Sequence, residues 1–350
     1  MTLKDLRDDI DRIDTRLLSL IDERMEKALL SRSFKGSITD AAREETVIER
    51  ITRSSRCLAG PHFTGELWKR IMSEARDIQA KKPKTVGFQG EHGANSEVAA
   101  RAWDASAAAM PCLEFSDVFD AVRDGFFDFG IVPVENTLGG LVGPVNSILI
   151  NTDLKIVAAI DMPVSHCLLA VPGADHREIR SAYSHSQALA QCRNFLARNK
   201  LEARPYYDTA GAARMISQER RRDTAAIANR FAAEIYDLEI IKDEIQDSDN
   251  NRTRFLVIAK EAVAQTGNKC SAVFSTEDKA GALFKTLEIF ARAGINLTRI
   301  ESVPNKPGDY AIFLDFDGSV GSESVATAVA EASGVARGFR ILGCYNERKL

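Results

Sequence analysis

The sequence lacks an apolar run long enough to cross a membrane, and it lacks paired cysteines of the kind that bind zinc. It contains no stretch of eighteen apolar residues, and its first residues, MTLKDLRDDIDRID, lack the apolar core of a secretory signal. These absences predict a cytoplasmic protein with no membrane partner. The six cysteines occur singly, which favours reduced, mostly buried thiols over a zinc site or a disulfide framework.

The chain also has little net charge, only −4 over 350 residues. Residues 1–84 carry 18 Lys and Arg against 15 Asp and Glu, which is +3, and the remainder carries −7. A charge of +3 without a strip of aromatic and basic residues is too small for a nucleic-acid-binding surface. We therefore expect no nucleic-acid partner, and a small anionic ligand suits the front segment better.

Hydrophobic spacing divides the chain into three modules, which we place at residues 1–82, 84–262 and 268–350. In the first, apolar residues recur every three or four positions from Leu3, with no Gly or Pro before Gly36. This predicts one long amphipathic helix, with two more after it, in an all-α module. The second module alternates strands and helices, which predicts two α/β lobes around a cleft, like a periplasmic binding protein. The third has the order βαββαβ of an α+β, ferredoxin-like unit.

Arginines and a lysine recur along the first helix at spacings that limit what they can bind together. Arg7 and Arg24 lie about 25 Å and ~100° apart, so one small ligand cannot contact both. Arg24 and Lys35 return to within about 20° of the same face, so their side chains can converge on one ligand. Only a second copy of the chain can then supply Arg7.

The second helix carries a charged cluster, and an amide closes the third helix. These residues are Asp40, Arg43, Glu44 and Gln79. On spacing alone, a solvated charged face is the simpler explanation. Together with the segments LRDDID and IMSEARDIQ, however, they resemble the all-helical chorismate mutases, in a likeness that covers residues 1 to about 80. One departure is Ala75, where that family often has a small hydroxyl residue.

This resemblance implies a helix-swapped dimer that rearranges chorismate to prephenate without a metal or organic cofactor. The reaction needs no nucleophile, only a compressed conformer and donors aimed at the oxygen that gains negative charge. The residues implied at the substrate carboxylates are Arg7 of the partner subunit, Arg24 and Arg43, those at the ether oxygen are Lys35 and Gln79, and those at the hydroxyl are Asp40 and Glu44.

Polar turns of the second module follow predicted strands, where ligands bind in α/β proteins. They are Gly87-Phe88-Gln89-Gly90 through Ser96, Glu135-Asn136-Thr137, Ser184-His185-Ser186-Gln187, Asp208-Thr209 and Asn251-Arg252-Thr253-Arg254-Phe255. Each alone is explained as a capped turn. Together with His166-Cys167-Leu168-Leu169 and Ile245-Gln246-Asp247, they resemble prephenate dehydratase over about residues 85–260.

The second resemblance implies that prephenate loses its ring hydroxyl and carbon dioxide together, giving phenylpyruvate. Such a site must hold a dianion and donate a proton or a strong hydrogen bond to the departing hydroxyl. Thr253 is implied as that donor and Arg254 as a carboxylate anchor, while Glu135 is either a proton source or an orienting group. The other residues implied at the substrate are Ser96, Asn136, Ser184, His185, Gln187, Thr209 and Phe255.

Two segments of the third module resemble the ACT regulatory domain of the same enzymes. One opens a helix, Gly281-Ala282-Leu283-Phe284, and the other ends a strand, Glu301-Ser302. The resemblance implies phenylalanine binding at a dimer interface, with feedback inhibition, in a homodimer or homotetramer. Val303 stands where that family has an arginine, so one fixed cation is missing.

Three alternatives to a bifunctional enzyme of phenylalanine biosynthesis stay open. The dehydratase chemistry also suits arogenate, which carries an amino acid in place of the keto acid, although the mutase module favours prephenate. A solute-binding protein shares the two lobes, but the missing export signal and the Thr253 turn disfavour it. A front module without mutase activity is disfavoured because Arg24, Lys35 and their partners are retained.

Overall fold

The structure of the chain is a computed structural model. It describes residues 2–34, 36–54, 58–262, 267–277, 279–306, 309–319 and 321–350. They form two compact units, Met1–Lys84 and Thr85–Leu350. We call the first the helical unit; in the second, residues 85–262 form the α/β module and residues 267–350 the C-terminal module. The predicted module boundaries stay a prediction. No helix in the described ranges has the length and apolar character that a membrane crossing requires.

The helical unit contains the three predicted helices. They are α1 (Leu3–Ser31), followed by a 3-10 turn (Arg32–Phe34), α2 (Ala41–Ser54) and α3 (Pro61–Lys81). Asp40 begins α2 because its Oδ1 accepts a hydrogen bond of 3.0 Å from the Arg43 N–H. Pro61 suits the first position of α3, where a missing N–H costs nothing. Lys82, with a φ of 49°, ends α3 in the left-handed region.

The first two thirds of α1 present an apolar face that the rest of the helical unit leaves uncovered. Six large side chains on that face are 44 to 64% exposed. We call them the α1 stripe: Leu3, Leu6, Ile10, Ile13, Leu17 and Leu20. Further along, Leu29 of α1 is buried, as are Met72 and Ala75 of α3. The unit therefore has a small core near the end of α1 and an unpaired apolar surface near its start.

The α/β module has the two predicted lobes, each built on its own sheet. The first lobe comprises β1 (Thr85–Gln89), α4 (Asn95–Trp103), β2 (Ala108–Cys112), α5 (Phe115–Asp124), β3 (Phe129–Asn136), β4 (Gly140–Leu141), α6 (Gly143–Asn151) and β5 (Lys155–Pro163). The second comprises β6 (Cys167–Ala170), β7 (Ser181–Ser184), α7 (Ser186–Gln191), α8 (Arg193–Arg198), β8 (Glu202–Pro205), α9 (Thr209–Glu219), β9 (Thr224–Ala228), α10 (Arg230–Ile235) and β10 (Glu239–Lys242). The chain then returns to the first lobe as β11 (Arg252–Ala259), which pairs antiparallel with both β3 and β5.

The C-terminal module has the predicted βαββαβ order. Its elements are β12 (Lys269–Ser275), α11 (Ala282–Arg292), β13 (Leu297–Lys306), β14 (Asp309–Asp317), α12 (Glu323–Val335) and β15 (Arg337–Lys349). The sheet order is β13-β14-β12-β15, and the end of β15 also pairs with β5 of the first lobe. One continuous sheet therefore joins the C-terminal module to the strands that flank β11.

Two cysteines differ from the expectation of reduced thiols. Cys270 and Cys344 are cross-strand neighbours on β12 and β15 and form a disulfide. The prediction was wrong for this pair because strand register brings together residues that lie 74 positions apart in sequence. Cys167 and Cys192 are free, and burial raises the pKa of each thiol to about 12, which keeps them protonated. Cys57 lies outside the described residues.

Candidate active site

A cleft of about 500 Å³ lies between the two lobes of the α/β module. Seven of the predicted substrate-contacting residues line it: Ser96, Asn136, His185, Gln187, Thr209, Thr253 and Phe255. The lobes approach closely at Gly139 of the first lobe, where an added Cβ would lie 1.9 Å from Gln187 Nε2 of the second. A side chain at this position would displace the Gln187 amide, so the glycine backbone contributes to the shape of the site.

Thr253 and Asn136 are direct neighbours across β11 and β3 in the cleft. Asn136 Nδ2 donates a hydrogen bond of 2.9 Å to Thr253 Oγ1, and Asn136 Oδ1 accepts one of 2.7 Å from the Gly139 N–H. The amide orientation is therefore fixed by bonds on both of its ends. Because the threonine oxygen acts as an acceptor here, its own proton is left for a group in the cleft.

Polar side chains link Thr253 to the second lobe through a continuous chain of hydrogen bonds. Asn136 Nδ2 also lies 2.8 Å from Asn251 Oδ1 and 3.0 Å from the Arg252 carbonyl, so its two hydrogens are shared among three acceptors. Asn251 Nδ2 donates to Gln191 Oε1 at 3.1 Å. His166 Nε2 lies 2.8 Å from the same Gln191 oxygen, which assigns the proton of the neutral ring to Nε2. Burial lowers the pKa of His166, so the ring is neutral near pH 7. We call these five side chains the Thr253 network.

The prediction missed Gln191 and Asn251. Asn251 stands in the polar turn that was identified, two residues before Thr253. Gln191 is four residues after Gln187, on the same face of α7. Helical spacing could therefore have found the second residue, whereas nothing in the sequence pairs it with Asn251.

Arg254 is placed differently from the prediction that it binds a substrate carboxylate. Its side chain does not line the cleft, and its guanidinium binds Asp315, Glu347 and Tyr345 of the C-terminal module. The reason is strand geometry, because successive side chains of a β-strand point to opposite faces. Thr253 faces the cleft, so its neighbour Arg254 faces away from it.

Glu135 and Ser184 also lie outside the cleft lining. Glu135 is the cross-strand neighbour of Arg254, with its Oε1 3.6 Å from the arginine Nη1. Of its two predicted roles, that of an orienting group agrees with this position, whereas that of a proton source does not. Ser184 is buried and donates a hydrogen bond of 2.6 Å to the Ile227 carbonyl, which ties β7 to β9.

No Lys or Arg is among the described residues that line the cleft. Helix N-termini supply positive potential instead, since their first N–H groups have no partner within the helix. α4 and α6 both begin at the cleft, at Asn95 and Gly143, and neither has a side-chain cap. These two ends are suited to receive an anionic group.

One carboxylate also lines the cleft, that of Asp208. It accepts a hydrogen bond of 2.8 Å from the Gly211 N–H and so caps α9, and burial raises its pKa. Next to it, Tyr207 and Arg214 of the second lobe bind Glu91 of the first at 2.7 and 2.8 Å. These contacts hold the two lobes together beside the cleft.

The helical unit contains one hydrogen bond between α3 and α1 at predicted mutase residues, and several buried polar atoms that have no hydrogen-bond partner among the described residues. Gln79 Nε2 donates a hydrogen bond of 2.6 Å to the Ala28 carbonyl, one helical turn after Arg24. The buried atoms left without partners include Gln79 Oε1, Arg24 Nη1 and Arg32 Nη1. Burial also lowers the pKa of Arg24. Buried donors and acceptors usually have partners, so these atoms mark the polar part of the interior of the helical unit. Lys35 lies outside the described residues.

The acidic residues of α2 have partners within the helical unit. Glu44 forms an ion pair with Arg76 of α3, and Asp40 caps α2. Arg7 and Arg43 are exposed. Sequence spacing did not identify Arg76 or Arg32, because their positions depend on how α1, α2 and α3 pack.

The predicted effector residues lie on two elements of the C-terminal module. Gly281, with a φ of +79°, precedes α11, and Ala282, Leu283 and Phe284 form its first turn. Phe284 is 64% exposed. Glu301 and Ser302 lie on β13, which is the edge strand of the sheet, and Val303 is buried.

Comparisons with known proteins cover all three modules. A model of the prephenate dehydratase family matches residues 86–263, one of type II chorismate mutases residues 6–80, and one of ACT domains residues 271–334. A bifunctional chorismate mutase/prephenate dehydratase of Aquifex aeolicus is 35% identical over 98% of this chain and 97% of its own length.

Two further relatives bear on the substrate and the effector. Arogenate dehydratase/prephenate dehydratase 2 of Arabidopsis thaliana is 37% identical over 85% of this chain and 80% of its own length. The crystal structure of prephenate dehydratase from Arthrobacter aurescens in complex with L-Phe has a TM-score of 0.69 and 29% identity, covering 75% of this chain and 89% of that one. The chain therefore belongs to the prephenate dehydratase family, as a bifunctional member that carries chorismate mutase, prephenate dehydratase and ACT domains.

Proposed function

We propose that the helical unit rearranges chorismate to prephenate, and that the cleft of the α/β module converts prephenate to phenylpyruvate. The observation that carries the second step is the hydrogen bond of 2.9 Å from Asn136 to Thr253. It turns the threonine proton toward a substrate in the cleft. The leaving hydroxyl of prephenate is the group that needs this donor.

The dehydratase step requires one proton and no other reactant. The bond from the ring to its carboxylate breaks, and its electron pair enters the ring as carbon dioxide leaves. The bond from the ring to the hydroxyl breaks at the opposite carbon, and the hydroxyl takes up a proton and leaves as water. Threonine is too weak an acid to remain deprotonated. Thr253 therefore acts as a positioned donor that passes a proton to the hydroxyl, and solvent supplies the proton that the step consumes.

Helix N-termini bind the prephenate dianion in this proposal, a role that the sequence had suggested for Arg254. The uncapped ends of α4 and α6 both face the cleft, at Ser96 and Gly143. Each presents free N–H groups and a partial positive charge. Unlike a buried arginine next to the reacting ring, they add no full charge that would hold the ring carboxylate in place and oppose its loss.

The mutase step uses the atoms without partners in the helical unit. Arg24 Nη1 and Arg32 Nη1 are donors for substrate carboxylates. Gln79 Nε2 donates one hydrogen to the Ala28 carbonyl, and its second hydrogen, together with Lys35, donates to the ether oxygen, where negative charge develops. Glu44 orients Arg76, with which it is paired.

A second copy of the chain completes the mutase site. The α1 stripe leaves six large apolar side chains 44 to 64% exposed along one helix face, which is a surface that a monomer rarely leaves uncovered. Pairing of two α1 helices covers this stripe. Arg7 and Arg24 of one chain are 17 residues apart and cannot contact the same small ligand, so Arg7 of the partner subunit completes the site that contains Arg24. The assembly is a homodimer or a pair of homodimers.

Phenylalanine is proposed to inhibit the dehydratase by binding the C-terminal module. Gly281 to Phe284 and Glu301 with Ser302 form the site, next to the edge strand of a partner module. The L-Phe complex of the Arthrobacter aurescens relative supports this assignment. The loss of the family arginine at Val303 weakens the affinity without removing the site.

Arogenate is a second candidate substrate of the same cleft. Its side chain carries an ammonium group, and Asp208 places a carboxylate in the cleft lining. Comparison of kcat/KM for prephenate and arogenate decides between them. If kcat/KM is higher for arogenate than for prephenate, and Asp208→Asn reverses this preference, arogenate is the preferred substrate.

The experiment that tests the whole assignment follows chorismate, prephenate and phenylpyruvate in one sample of purified chain. Chorismate is expected to disappear, prephenate to appear transiently and phenylpyruvate to accumulate. Phenylalanine is expected to slow only the second step. If added prephenate is unchanged after long incubation, the dehydratase assignment fails.

A further inference from the structure

Arg254 joins β11, the strand that carries Thr253, to the C-terminal module through all three nitrogens of its guanidinium. Its Nε donates to Glu347 at 2.6 Å, its Nη2 to the Tyr345 hydroxyl at 2.8 Å, and its Nη1 to Asp315. The arginine is 7% exposed and Asp315 is 1% exposed. All three partners belong to β14 and β15, so the contact between modules is buried and uses the full fork of the arginine.

The same arginine is bonded through the main chain to Thr253. The two residues are consecutive on β11, with Thr253 facing the cleft and Arg254 facing the C-terminal module. β11 pairs with β5, and β5 pairs with the end of β15, which carries Tyr345 and Glu347. Arg254 therefore ties β14 and β15 directly to the strand that carries Thr253.

A second arginine connects β13, which carries Glu301 and Ser302, to another part of the cleft lining. Arg299 lies on β13, two residues before Glu301, and donates a hydrogen bond of 2.8 Å to Asn146 of α6. Asn146 in turn donates to the carbonyl of Val142, which lines the cleft. Arg299 Nη1 is also 4.0 Å from the Asp315 carboxylate that binds Arg254. Both arginines thus meet at one buried carboxylate.

The charges in this cluster depend on one another. Burial by itself lowers the pKa of Arg254, but Tyr345, Asp315 and Glu347 raise it above the ordinary value, so the arginine stays charged. Glu347 is shared with Lys269. A buried ion-pair cluster is seldom the most stable way to fill an interface, which favours a role in fixing one arrangement of the two modules.

We infer that Arg254 and Arg299, which meet at Asp315, are positioning residues that transmit phenylalanine binding in the C-terminal module to Thr253. This inference rests on the proposed function. Phenylalanine at Gly281–Phe284 and Glu301 favours a position of β13 to β15 in which Arg254 displaces the β11 backbone. Thr253 then no longer reaches the leaving hydroxyl, and turnover falls while substrate binding persists.

The test uses the full chain and three substitutions. Arg254→Lys keeps the charge but removes the fork, and Tyr345→Phe removes one hydroxyl from the same cluster. Arg340→Lys is the matched control, because Arg340 joins the same two modules through the Thr152 and Ile150 carbonyls and does not contact Arg254. For each protein, kcat and KM for prephenate, residual activity at saturating phenylalanine, and phenylalanine binding by calorimetry are measured. Far-ultraviolet circular dichroism checks folding.

Arg254→Lys is expected to lower kcat by about ten- to a hundredfold while KM changes by less than about threefold, because misplacement rather than lost binding is the cause. Tyr345→Phe is expected to keep kcat within about threefold and still to bind phenylalanine. Its residual activity at saturating phenylalanine is expected to be at least about fivefold higher than that of the unchanged chain. Arg340→Lys is expected to be inhibited like the unchanged chain.

Three results overturn the inference while the proposed function stands. The first is a KM more than about tenfold higher in Arg254→Lys with kcat retained, which would make Arg254 a substrate anchor. The second is undiminished inhibition in both Arg254→Lys and Tyr345→Phe. The third is an equal loss in Arg340→Lys, which would indicate general loosening of the interface. An unchanged chain that forms no phenylpyruvate would overturn the proposed function, and this inference with it.

Discussion

Asn136 and Thr253 are cross-strand neighbours whose side chains are joined by a hydrogen bond of 2.9 Å, with the amide as donor. The bond fixes the direction in which a weak acid can donate its own proton. It also connects Thr253 to His166 in the second lobe through Asn251 and Gln191. The hydroxyl proposed as the catalytic donor is thus positioned by both lobes.

Replacing the amide of Asn136 should show this effect directly. Asn136→Asp turns the donor into an acceptor, so Thr253 would donate its proton to the carboxylate instead of the substrate. We expect kcat for prephenate to fall by about 10²-fold, as for the loss of one positioned donor. Steady-state kinetics measures the change, and Asn194→Asp, at an exposed position of α8, is the control. A kcat within threefold of the unchanged chain would contradict the role given to Asn136.

The buried imidazole of His166 should make stability depend on pH. Its pKa in the folded chain is below the unfolded value of about 6.5, so the unfolded state binds the proton more readily. The free energy of unfolding should therefore fall as pH decreases below about 6.5, until the folded-state pKa is reached. Urea unfolding at several pH values, compared with His166→Gln, measures this contribution. If the two proteins have the same pH dependence, His166 is not held neutral by burial.

A negative charge at the start of α4 should interfere with binding of the dianion. Ser96→Asp places a carboxylate at the N-terminus that we assign to a substrate carboxylate. The helix dipole favours such a charge, but Ser96 is buried, so far-ultraviolet circular dichroism checks that the variant folds. We expect KM for prephenate to rise at least about tenfold, with Ser96→Asn as the uncharged control. An unchanged KM would exclude this helix from substrate binding.

Loss of the positive charge at Arg24 should stop the first reaction and spare the second. Arg24→Met keeps length and apolar packing but removes the buried donor without a partner. We expect kcat/KM for chorismate to fall by about 10²-fold or more, while added prephenate is converted at the unchanged rate. Arg50→Met, at an exposed position of α2, should leave both rates unchanged. Equal loss of both reactions in Arg24→Met would contradict separate sites.

The fold and most of the cleft could be predicted from the sequence, because both depend on local patterns. Helical spacing gave three helices before residue 84, and polar turns after strands marked Asn136, Gln187 and Thr253, which line one cleft. These residues were recognisable because the ends of neighbouring strands meet at one edge of a sheet.

Arg254 shows what the linear motif could not reveal. Thr253 and Arg254 are adjacent in the sequence, and the motif suggested one shared task. The period of two along a strand separates them to opposite faces, and the partners of Arg254 lie 61 to 93 residues later in the chain. The Cys270–Cys344 disulfide and the Gln191–Asn251 bond were missed for the same reason, since each depends on register or on lobe packing.

In the proposed mechanism, the Thr253 hydroxyl is held by Asn136 and donates to the hydroxyl that leaves prephenate. The most direct test measures phenylpyruvate formation from chorismate by Thr253→Val and Thr253→Ser. Valine keeps the shape but has no hydroxyl, so prephenate should accumulate at an unchanged rate and phenylpyruvate should form about 10²- to 10³-fold more slowly. Serine should retain activity to within about tenfold. Rapid formation of phenylpyruvate by Thr253→Val would show that the Thr253 hydroxyl is not the donor.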